Sequence, residues 1–244
     1  MTPTPRSTGV RRSYGALSFD GDGTLWDFDS AMRQALEDAA RLLRGAGACR
    51  PGGPVTAGWL REIRDHVAGR EEFRGRTMES IRLASFRRAV AECGISDAGL
   101  AREAYETYME ARWRRLRTYE DVPDALAALG SRYRLALVTN GNTRPHRVGL
   151  DGVFGTVVVS AECGLHKPDP AIYLHALRRM GLGPAEVLHV GDDPVEDVDA
   201  ARRAGMDTAW VNRLDVRWPY ADPPGPTVGD LGELTPLLLD GGSP

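Results

Sequence analysis

The chain has 244 residues, of which 42% are hydrophobic and 27% charged, and this ordinary globular mixture excludes a disordered, collagen-like or coiled-coil protein. Its formal net charge of −3 lacks the positive excess of nucleic-acid binders and of binders of anionic membranes, so we expect neither partner. The three cysteines form no metal-binding pair, and no apolar run approaches the ~20 residues needed to cross a membrane, so we expect a protein of the reducing cytoplasm.

The first structured segment is expected after a flexible N-terminal tail. In this tail, residues 1–13, arginines stand among threonine, proline and serine, and no apolar segment of a secretory signal follows. Ala16–Phe19 is short and mostly apolar, and it stops at the polar segment Asp20-Gly21-Asp22-Gly23-Thr24. This pattern predicts a buried strand that enters a tight loop.

A helical insertion is expected next, because from residue 28 to residue 120 the apolar residues recur only at helical spacing. No strand is predicted there. The helices are expected to be capped by side-chain oxygens that accept hydrogen bonds from main-chain N–H groups, and the expected caps are Asp29 or Ser30, Thr56, Thr77 and Ser96. The predicted domains are a core formed by residues 14–27 and 121–244 and a helical cap domain formed by residues 28–120.

Strand and helix patterns alternate in the rest of the chain. Apolar runs predict strands at Leu135–Val138, Val157–Val159, Val187–Val190 and Thr208–Val211. Helical patterns occur at Ala171–Met180, Val195–Ala204 and Leu231–Leu239. The alternation predicts an α/β fold with a Rossmann-like parallel sheet, helices on both of its faces, and sites at the carboxyl ends of the strands.

Acidic side chains follow two of the predicted strands. Asp20 and Asp22 stand two residues apart, and in an extended backbone they point to the same side, roughly 6–7 Å apart. Two carboxylates that close need a cation or a shared proton. Asp192 and Asp197 follow another strand. The four candidates to converge on one hard divalent ion are therefore Asp20, Asp22, Asp192 and Asp197, and their oxygen ligands favour Mg²⁺. The structural alternative is polar turns in which such residues, and Asp193, cap helices.

Two other strand ends carry groups suited to phosphoryl oxygens. Thr139-Asn140-Gly141 offers a hydroxyl, an amide and a flexible main chain, although the same tripeptide is also a common turn. Lys167 is the single lysine among 31 basic residues, the other 30 being arginine. A solvated position would tolerate arginine, so the compact ammonium of Lys167 is predicted to be required where it stands.

In chain order the motifs read DxDGT, Thr-Asn-Gly, Lys-Pro and GDDxxxxD. This order, with a helical insertion between the first and second motifs, resembles the haloacid dehalogenase superfamily of hydrolases over nearly the whole chain. The resemblance implies that Asp20 is the nucleophile that forms an aspartyl-phosphate and that Asp22 is the general acid and base, with Lys167 as a third catalytic residue. The other implied roles are phosphate binding by Thr139, Asn140 and Lys167, Mg²⁺ binding by Asp20, Asp192 and the Asp22 carbonyl, and support of the site by Asp197, Asp193 and Thr24.

The function implied by this resemblance is a Mg²⁺-dependent phosphomonoesterase, a monomer or homodimer, that acts on a small phosphorylated metabolite such as a nucleotide, a sugar phosphate or a flavin precursor. A phosphoryl-sensing protein with slow turnover, like receiver domains, would lack the inserted helices and the second acid, Asp22. A 2-haloacid dehalogenase needs no proton for its halide, so Asp22 also speaks against that alternative. In the cap, Arg70, Arg74 and Arg76 form a cationic loop that either reaches over the site or is simply solvated.

Overall fold

The computed structural model describes residues 14–73 and 75–240. The expected tail, residues 1–13, and Arg74 of the cationic loop lie outside the described residues. The described chain forms two compact units, one made of residues 14–27 and 117–240 and the other of residues 28–116. Within this part of the chain, no helix is both long and apolar enough to span a membrane.

The first unit is built around a six-stranded sheet whose neighbouring strands are all parallel. With strands numbered in chain order over both units, they are β1 (Ala16–Phe19), β4 (Arg134–Thr139), β5 (Thr156–Val159), β6 (Val187–Gly191), β7 (Asp207–Val211) and β8 (Thr227–Val228). Their order in the sheet is β5-β4-β1-β6-β7-β8. The first strand therefore lies between β4 and β6, and the carboxyl ends of these three strands meet at one edge of the sheet.

Continuous burial explains why these segments are strands. β1 is buried along its whole length, and β4 is buried except at its first residue, as expected for parallel strands covered on both faces. The α-helices of this unit are α5 (Val122–Gly130), α6 (Ser160–Cys163), α7 (Ala171–Met180), α8 (Ala200–Arg203) and α9 (Leu231–Leu239). Ile172 and Tyr173 of α7 belong to the same buried cluster as Ala136 and Val138 of β4.

The predicted α/β fold with a parallel sheet is confirmed, and all five predicted strands are present. The strand β8 was not predicted, because it has two residues and follows a proline- and glycine-rich stretch. The predicted helix Val195–Ala204 is wrong in form, since a π-helical turn at Pro194–Asp199 precedes the short α8.

The second unit is a bundle of four helices, α1 (Phe28–Gly45), α2 (Ala57–Ala68), α3 (Met78–Glu92) and α4 (Ala98–Arg115). The expectation of no strand is wrong at one place, where β2 (Cys49–Arg50) pairs antiparallel with β3 (Gly53–Pro54). Strands of two residues are too short to show an alternating pattern. In the loop after α2, Arg70 and Arg76 are exposed, and Arg70 pairs with Glu72 at 3.3 Å.

Two of the predicted helix caps are confirmed and two are wrong. Thr56 and Thr77 accept hydrogen bonds from the main-chain N–H groups of Trp59 and Ser80, respectively. At α4 the cap is not Ser96 but its neighbour Asp97, whose Oδ1 accepts from the main-chain N–H groups of Gly99 and Leu100. The helix α1 begins at Phe28, so Asp29 and Ser30 lie inside its first turn.

The second unit ends at Leu116 rather than at residue 120, where the sequence placed the boundary. The four residues 117–120 belong with the first unit because they pair with the loop after β1. The main-chain N–H of Asp27 donates to the carbonyl of Arg117 at 3.1 Å, and that of Tyr119 donates to the carbonyl of Leu25 at 3.1 Å.

A partly buried ion pair, Asp121 with Arg213, joins four segments of the first unit. The guanidinium donates to both carboxylate oxygens at 3.0 and 2.8 Å, and it also donates to the carbonyl of Thr24. The main-chain N–H of Leu231 donates to the same carboxylate at 2.8 Å. Burial alone would raise the pKa of Asp121, but the hydrogen bonds from Arg213 and from the Leu231 N–H hold it below its usual value.

Asp121→Asn should lower the free energy of unfolding by about 1–3 kcal/mol at pH 7, because charge-assisted hydrogen bonds are lost. The folded-state pKa of Asp121 is depressed, so this contribution is fully present above the unfolded-state pKa near ~3.9 and is lost as the pH falls through the lower folded-state value. Urea unfolding at pH 7 and at pH 3 or below measures it. Asp124→Asn, at an exposed carboxylate in the first turn of α5, the helix that Asp121 precedes, is the matched control. A difference from wild type that does not shrink in acid would contradict the assignment.

Candidate active site

The candidate site lies at the carboxyl ends of β1, β4 and β6. Phe19, the last residue of β1, is in register with Leu137 of β4 and Val190 of β6. The next residue, Asp20, is held to β6 by a hydrogen bond from its main-chain N–H to the carbonyl of Val190 at 2.9 Å. Asp192 follows β6 directly, so the two acidic motifs are brought together by strand order alone.

Three carboxylates come together at this edge. Asp20, Asp192 and Asp197 each place a carboxylate oxygen within 4.8 Å of the others. Burial raises the pKa of Asp20 well above its usual value, and repulsion from Asp197 and Asp192 adds to the effect, while Lys167 opposes it. Burial and the charge of Asp197 likewise raise the pKa of Asp192 to about 7. Burial is the largest cause of both shifts, so the charged forms of Asp20 and Asp192 need positive charge nearby to be stable.

The ammonium of Lys167 lies between two of these carboxylates. Its Nζ donates to Oδ1 of Asp20 at 2.5 Å and to Oδ1 of Asp197 at 2.6 Å, and its side chain is only 1% exposed. Burial alone would lower the pKa of Lys167, but Asp197 and Asp20 hold it well above its usual value. Burial would raise the pKa of Asp197, yet Lys167 and His189 hold it below the usual range. Lys167 and Asp197 therefore form a pair in which both partners are charged.

Asp197 is fixed from three directions. The main-chain N–H of Asp193 donates to its Oδ2 at 3.0 Å. Gly191 leaves it room, because a Cβ there would lie 2.3 Å from the Asp197 Cγ, closer than any side chain tolerates. Its Oδ1 lies 3.4 Å from Nε2 of His189 and 3.4 Å from the hydroxyl of Tyr173, which donates to the carbonyl of Glu196 at 2.7 Å.

His189 was not identified from the sequence as part of the site. It is fully buried in β6, where its Nδ1 hydrogen-bonds the hydroxyl of Ser18 on β1 at 2.8 Å. Burial lowers the pKa of His189, although Asp197 acts in the opposite direction. The lowered pKa favours the neutral ring. The signal that could have revealed it is a histidine between leucine and valine in a strand that is otherwise apolar.

Asp22 is not part of this group of three carboxylates, so the expectation that its side chain converges with the others on one cation is not met. The strand ends at Phe19, and the chain then turns, with the N–H of Leu25 donating to the carbonyl of Gly21 at 2.9 Å. Oδ1 of Asp22 instead accepts from Nε1 of Trp26 at 2.5 Å. A metal contact through the Asp22 main-chain carbonyl stays a prediction.

The segment Thr139-Asn140-Gly141, which follows β4, lies next to Asp22. A Cβ on Gly141 would come within 2.6 Å of Oδ2 of Asp22, so glycine permits this approach. The buried hydroxyl of Thr139 accepts from the N–H of Gly141 at 3.1 Å.

The side chain of Asn140 does not offer the phosphate contact that the sequence predicted. Its two N–H donors go to the carbonyl of Lys167 at 3.0 Å and to Oε2 of Glu196 at 2.8 Å, and its oxygen accepts from the N–H of Lys167 at 2.8 Å. An asparagine amide has two N–H donors, so no donor is left for a ligand. The observed role of this side chain is to hold the segment that carries Lys167.

The remaining predicted residues orient the acidic loop after β6. The hydroxyl of the buried Thr24 donates to Oδ1 of Asp192 at 2.6 Å. Gly23 has a φ of 90°, and a Cβ on it would lie 2.4 Å from Oδ2 of Asp192. The exposed Asp193 caps the π-helical turn by accepting from the N–H groups of Val195 and Glu196, both at 2.7 Å.

This donor set fits a hard divalent cation. Carboxylate oxygens are the ligands that Mg²⁺ takes in proteins, and the single buried ammonium balances only part of the charge of three carboxylates. The raised pKa values of Asp20 and Asp192 have the direction that a missing positive charge produces. The two residues that would hold the cation through their side chains are Asp20 and Asp192.

Comparison with known proteins gives related phosphatases and a related dehalogenase. The chain is 39% identical over 159 residues to phosphoserine phosphatase of Thermus thermophilus, a match that covers 61% of this chain and 64%, less than two thirds, of that relative. It is 27% identical over 233 residues to 5-amino-6-(5-phospho-D-ribitylamino)uracil phosphatase of Escherichia coli, covering 91% of this chain and 95% of that one. The crystal structure of 2-haloacid dehalogenase from Pseudomonas syringae pv. Tomato matches with a TM-score of 0.76 at 29% identity, covering 93% of this chain and 99% of that one.

The family model of haloacid dehalogenase-like hydrolases matches residues 14–205. That range includes β1, β4 and β6 and every acidic residue of the site described above. The chain therefore belongs to the haloacid dehalogenase-like hydrolase family and is an enzyme of that family.

Proposed function

We propose that this enzyme is a Mg²⁺-dependent phosphomonoesterase that works through an aspartyl-phosphate on Asp20. The observation that carries the proposal is the hydrogen bond from the buried ammonium of Lys167 to the carboxylate of Asp20. The segment Thr139-Asn140-Gly141, which lies next to Asp22, adds to it. Two relatives that match the chain are named as phosphatases of small phosphorylated metabolites, which supports the same class of substrate.

Asp20 is the nucleophile in this mechanism. A carboxylate oxygen of Asp20 forms a bond to phosphorus as the bond from phosphorus to the leaving oxygen breaks. Lys167 keeps the carboxylate in place and offers a compact donor to the transferring phosphoryl oxygens, with Thr139 on the neighbouring strand end. A divalent cation, when bound by Asp20 and Asp192, supplies positive charge that neutralises the phosphoryl oxygens.

Asp22 moves the protons. It gives a proton to the leaving alkoxide in the first step and takes one from the water that attacks the aspartyl-phosphate in the second, which releases inorganic phosphate and restores Asp20. The hydrogen bond from Trp26 fixes Oδ1 of Asp22, and Oδ2 lies next to Gly141 at the carboxyl end of β4. This oxygen is the one we assign to proton transfer.

A dehalogenase is the second candidate, because the dehalogenase structure described above is similar over nearly the whole chain. A halide leaves without a proton and without a cation, so that reaction would leave the fixed Asp22 and the group of three carboxylates without a task. Phosphate release from monoesters together with no chloride release from 2-chloropropionate separates the two candidates. A protein that takes one phosphoryl group without turnover would support the sensing alternative.

Asp22→Asn should slow the hydrolysis of an alkyl phosphate by about 10²–10⁴-fold, because the alkoxide then leaves unprotonated. The loss should be much smaller with p-nitrophenyl phosphate, whose leaving group scarcely needs a proton. An asparagine oxygen still accepts from Trp26, so the loop is expected to keep its form. Single-turnover rates with both substrates measure the difference, and equal losses would contradict the acid role.

Chelation of divalent cations should lower kcat by at least ~10²-fold, since the cation contributes several kcal/mol of charge stabilisation in the transition state. Added Mg²⁺ should restore the rate and should also raise the Tm, because it relieves the repulsion among the three carboxylates. In Asp192→Asn the rise in Tm with Mg²⁺ should weaken. Full activity after thorough removal of metal, checked by elemental analysis, would exclude a metal-dependent mechanism.

Lys167→Arg keeps the charge but should lower kcat on the order of 10²-fold, because a forked guanidinium does not fit the position of an ammonium and displaces Asp20 by about 1 Å. The room is limited, since the side chain is 1% exposed between two carboxylates. The kcat and the Tm of the variant are measured side by side. A kcat near that of wild type would show that any cation suffices at this position.

A further inference from the structure

A histidine is buried behind the charged group of the site, in the middle of the otherwise apolar strand β6. Both ring nitrogens of His189 have polar neighbours. Nδ1 lies 2.8 Å from the hydroxyl of Ser18, and Nε2 lies between the hydroxyl of Tyr173 at 3.2 Å and Oδ1 of Asp197 at 3.4 Å. The mechanism proposed above does not use this ring, so its contacts need another explanation.

The hydroxyl of Tyr173 shows which group donates to which. This hydroxyl lies 2.7 Å from the main-chain carbonyl of Glu196. A carbonyl oxygen has no proton to give, so the one hydrogen of the hydroxyl lies between these two oxygens. It is then not available to Nε2 of His189 or to Asp197, which are farther away at 3.2 and 3.4 Å. Toward His189, the oxygen of Tyr173 can therefore only accept.

Both oxygens that face Nε2 of His189 are thus acceptors. Oδ1 of Asp197 belongs to an ionised carboxylate, to which the ammonium of Lys167 donates at 2.6 Å. An unprotonated Nε2 would direct its lone pair at this oxygen and at the oxygen of Tyr173, which is unfavourable in a buried place. Nε2 therefore carries a proton, which it shares between the two oxygens.

The other ring nitrogen, Nδ1, is left without a proton. Burial lowers the pKa of His189, so the ring is neutral near pH 7 and has one proton, which is already placed on Nε2. The lone pair of Nδ1 then accepts from the hydroxyl of Ser18. The main-chain carbonyl of Ser18 favours a proton on the ring, but a second proton would make the ring a cation near the buried ammonium of Lys167.

We propose that His189 is a positioning residue for Lys167. Its neutral ring accepts from Ser18 at Nδ1 and donates from Nε2 toward Asp197, and it thereby holds Oδ1 of Asp197 in the place where the ammonium binds it. Lys167 donates in turn to Asp20 at 2.5 Å. The arrangement of protons does not depend on any reaction, whereas its effect on catalysis rests on the proposed function.

The ammonium can be observed directly, because Lys167 is the single lysine of the chain. Protein labelled with ¹⁵N at the lysine Nζ gives one ammonium signal, whose protons should exchange slowly with water because the side chain is buried. In His189→Leu, which removes the donor to Asp197, the signal should shift and exchange about tenfold faster, the effect of losing one hydrogen bond to a charged group. His189→Gln, whose amide reaches to the place of Nε2, should stay near wild type.

The protons of the ring are measured in protein labelled with ¹⁵N at histidine. His189→Gln identifies the signals of this ring among the five histidines. His175→Gln, at a half-buried histidine of α7, is the matched control and should leave the Lys167 signal unchanged. We expect a protonated Nε2 and an unprotonated Nδ1 at pH 7. A neutral ring with its proton on Nδ1, or a ring with two protons, would overturn the assignment.

Kinetics test the effect on the reaction. His189→Leu should lower kcat about tenfold with little change in KM, because the ammonium is displaced while the rest of the substrate site is kept. His189→Gln should restore most of this loss. The factor should be equal for an alkyl phosphate and for p-nitrophenyl phosphate, unlike that of Asp22→Asn. A purely structural role predicts instead a lower Tm in both variants and an unchanged kcat of the folded protein.

Two results would overturn the positioning role: an unchanged ammonium signal in His189→Leu, or equal losses of kcat in the leucine and glutamine variants. If wild type hydrolyses no phosphate ester, the proposed function fails, and the signals of Lys167 and His189 still decide the positioning role. If His189→Leu does not fold, the ring protons of wild type and the kcat of His189→Gln decide it.

Discussion

The structure of the site depends on one buried ammonium between two buried carboxylates. Lys167 binds Asp20 and Asp197 at 2.5 and 2.6 Å where almost no water reaches. Such an arrangement is costly to form, because the desolvation of each ion is several kcal/mol, and it is strongly destabilised when one partner is removed. Two neighbouring residues fit this constraint. Asn140 binds the main chain of Lys167, and Gly191 leaves the space that the Asp197 side chain occupies.

The fold supplies the two carboxylates from segments that are far apart in the chain. Because β1 lies between β4 and β6 in a parallel sheet, the loops after all three strands meet at one edge of the sheet. The motifs that these loops carry are therefore neighbours in space although they are far apart in the chain. The lysine comes from a loop on a fourth segment, and the amide of Asn140 secures it. The order of the strands thus brings the site residues together, and hydrogen bonds of side chains such as Asn140 fix their orientation.

Five of the six strands of the sheet could be predicted from the sequence, since apolar runs mark them, and the single lysine among arginines marks Lys167. The direction of side chains in the loops could not be predicted. Asp22 turns toward Trp26, and both donors of Asn140 go to protein acceptors, because turn geometry and contacts from distant segments decide these orientations. His189 escaped notice for a related reason: its partners lie on β1 and beside Asp197, contacts that no local pattern reveals.

The two units treat buried positive charge in opposite ways. In the α/β unit, Lys167 has two carboxylates within hydrogen-bond distance, and the pKa shifts of all three groups reflect their mutual dependence. In the helical unit, Arg82 is as deeply buried but has two nitrogens without partners. Nitrogens buried without partners lower the stability of a folded unit, whereas the charge of Lys167 is kept by two carboxylates, one of which is the nucleophile proposed above.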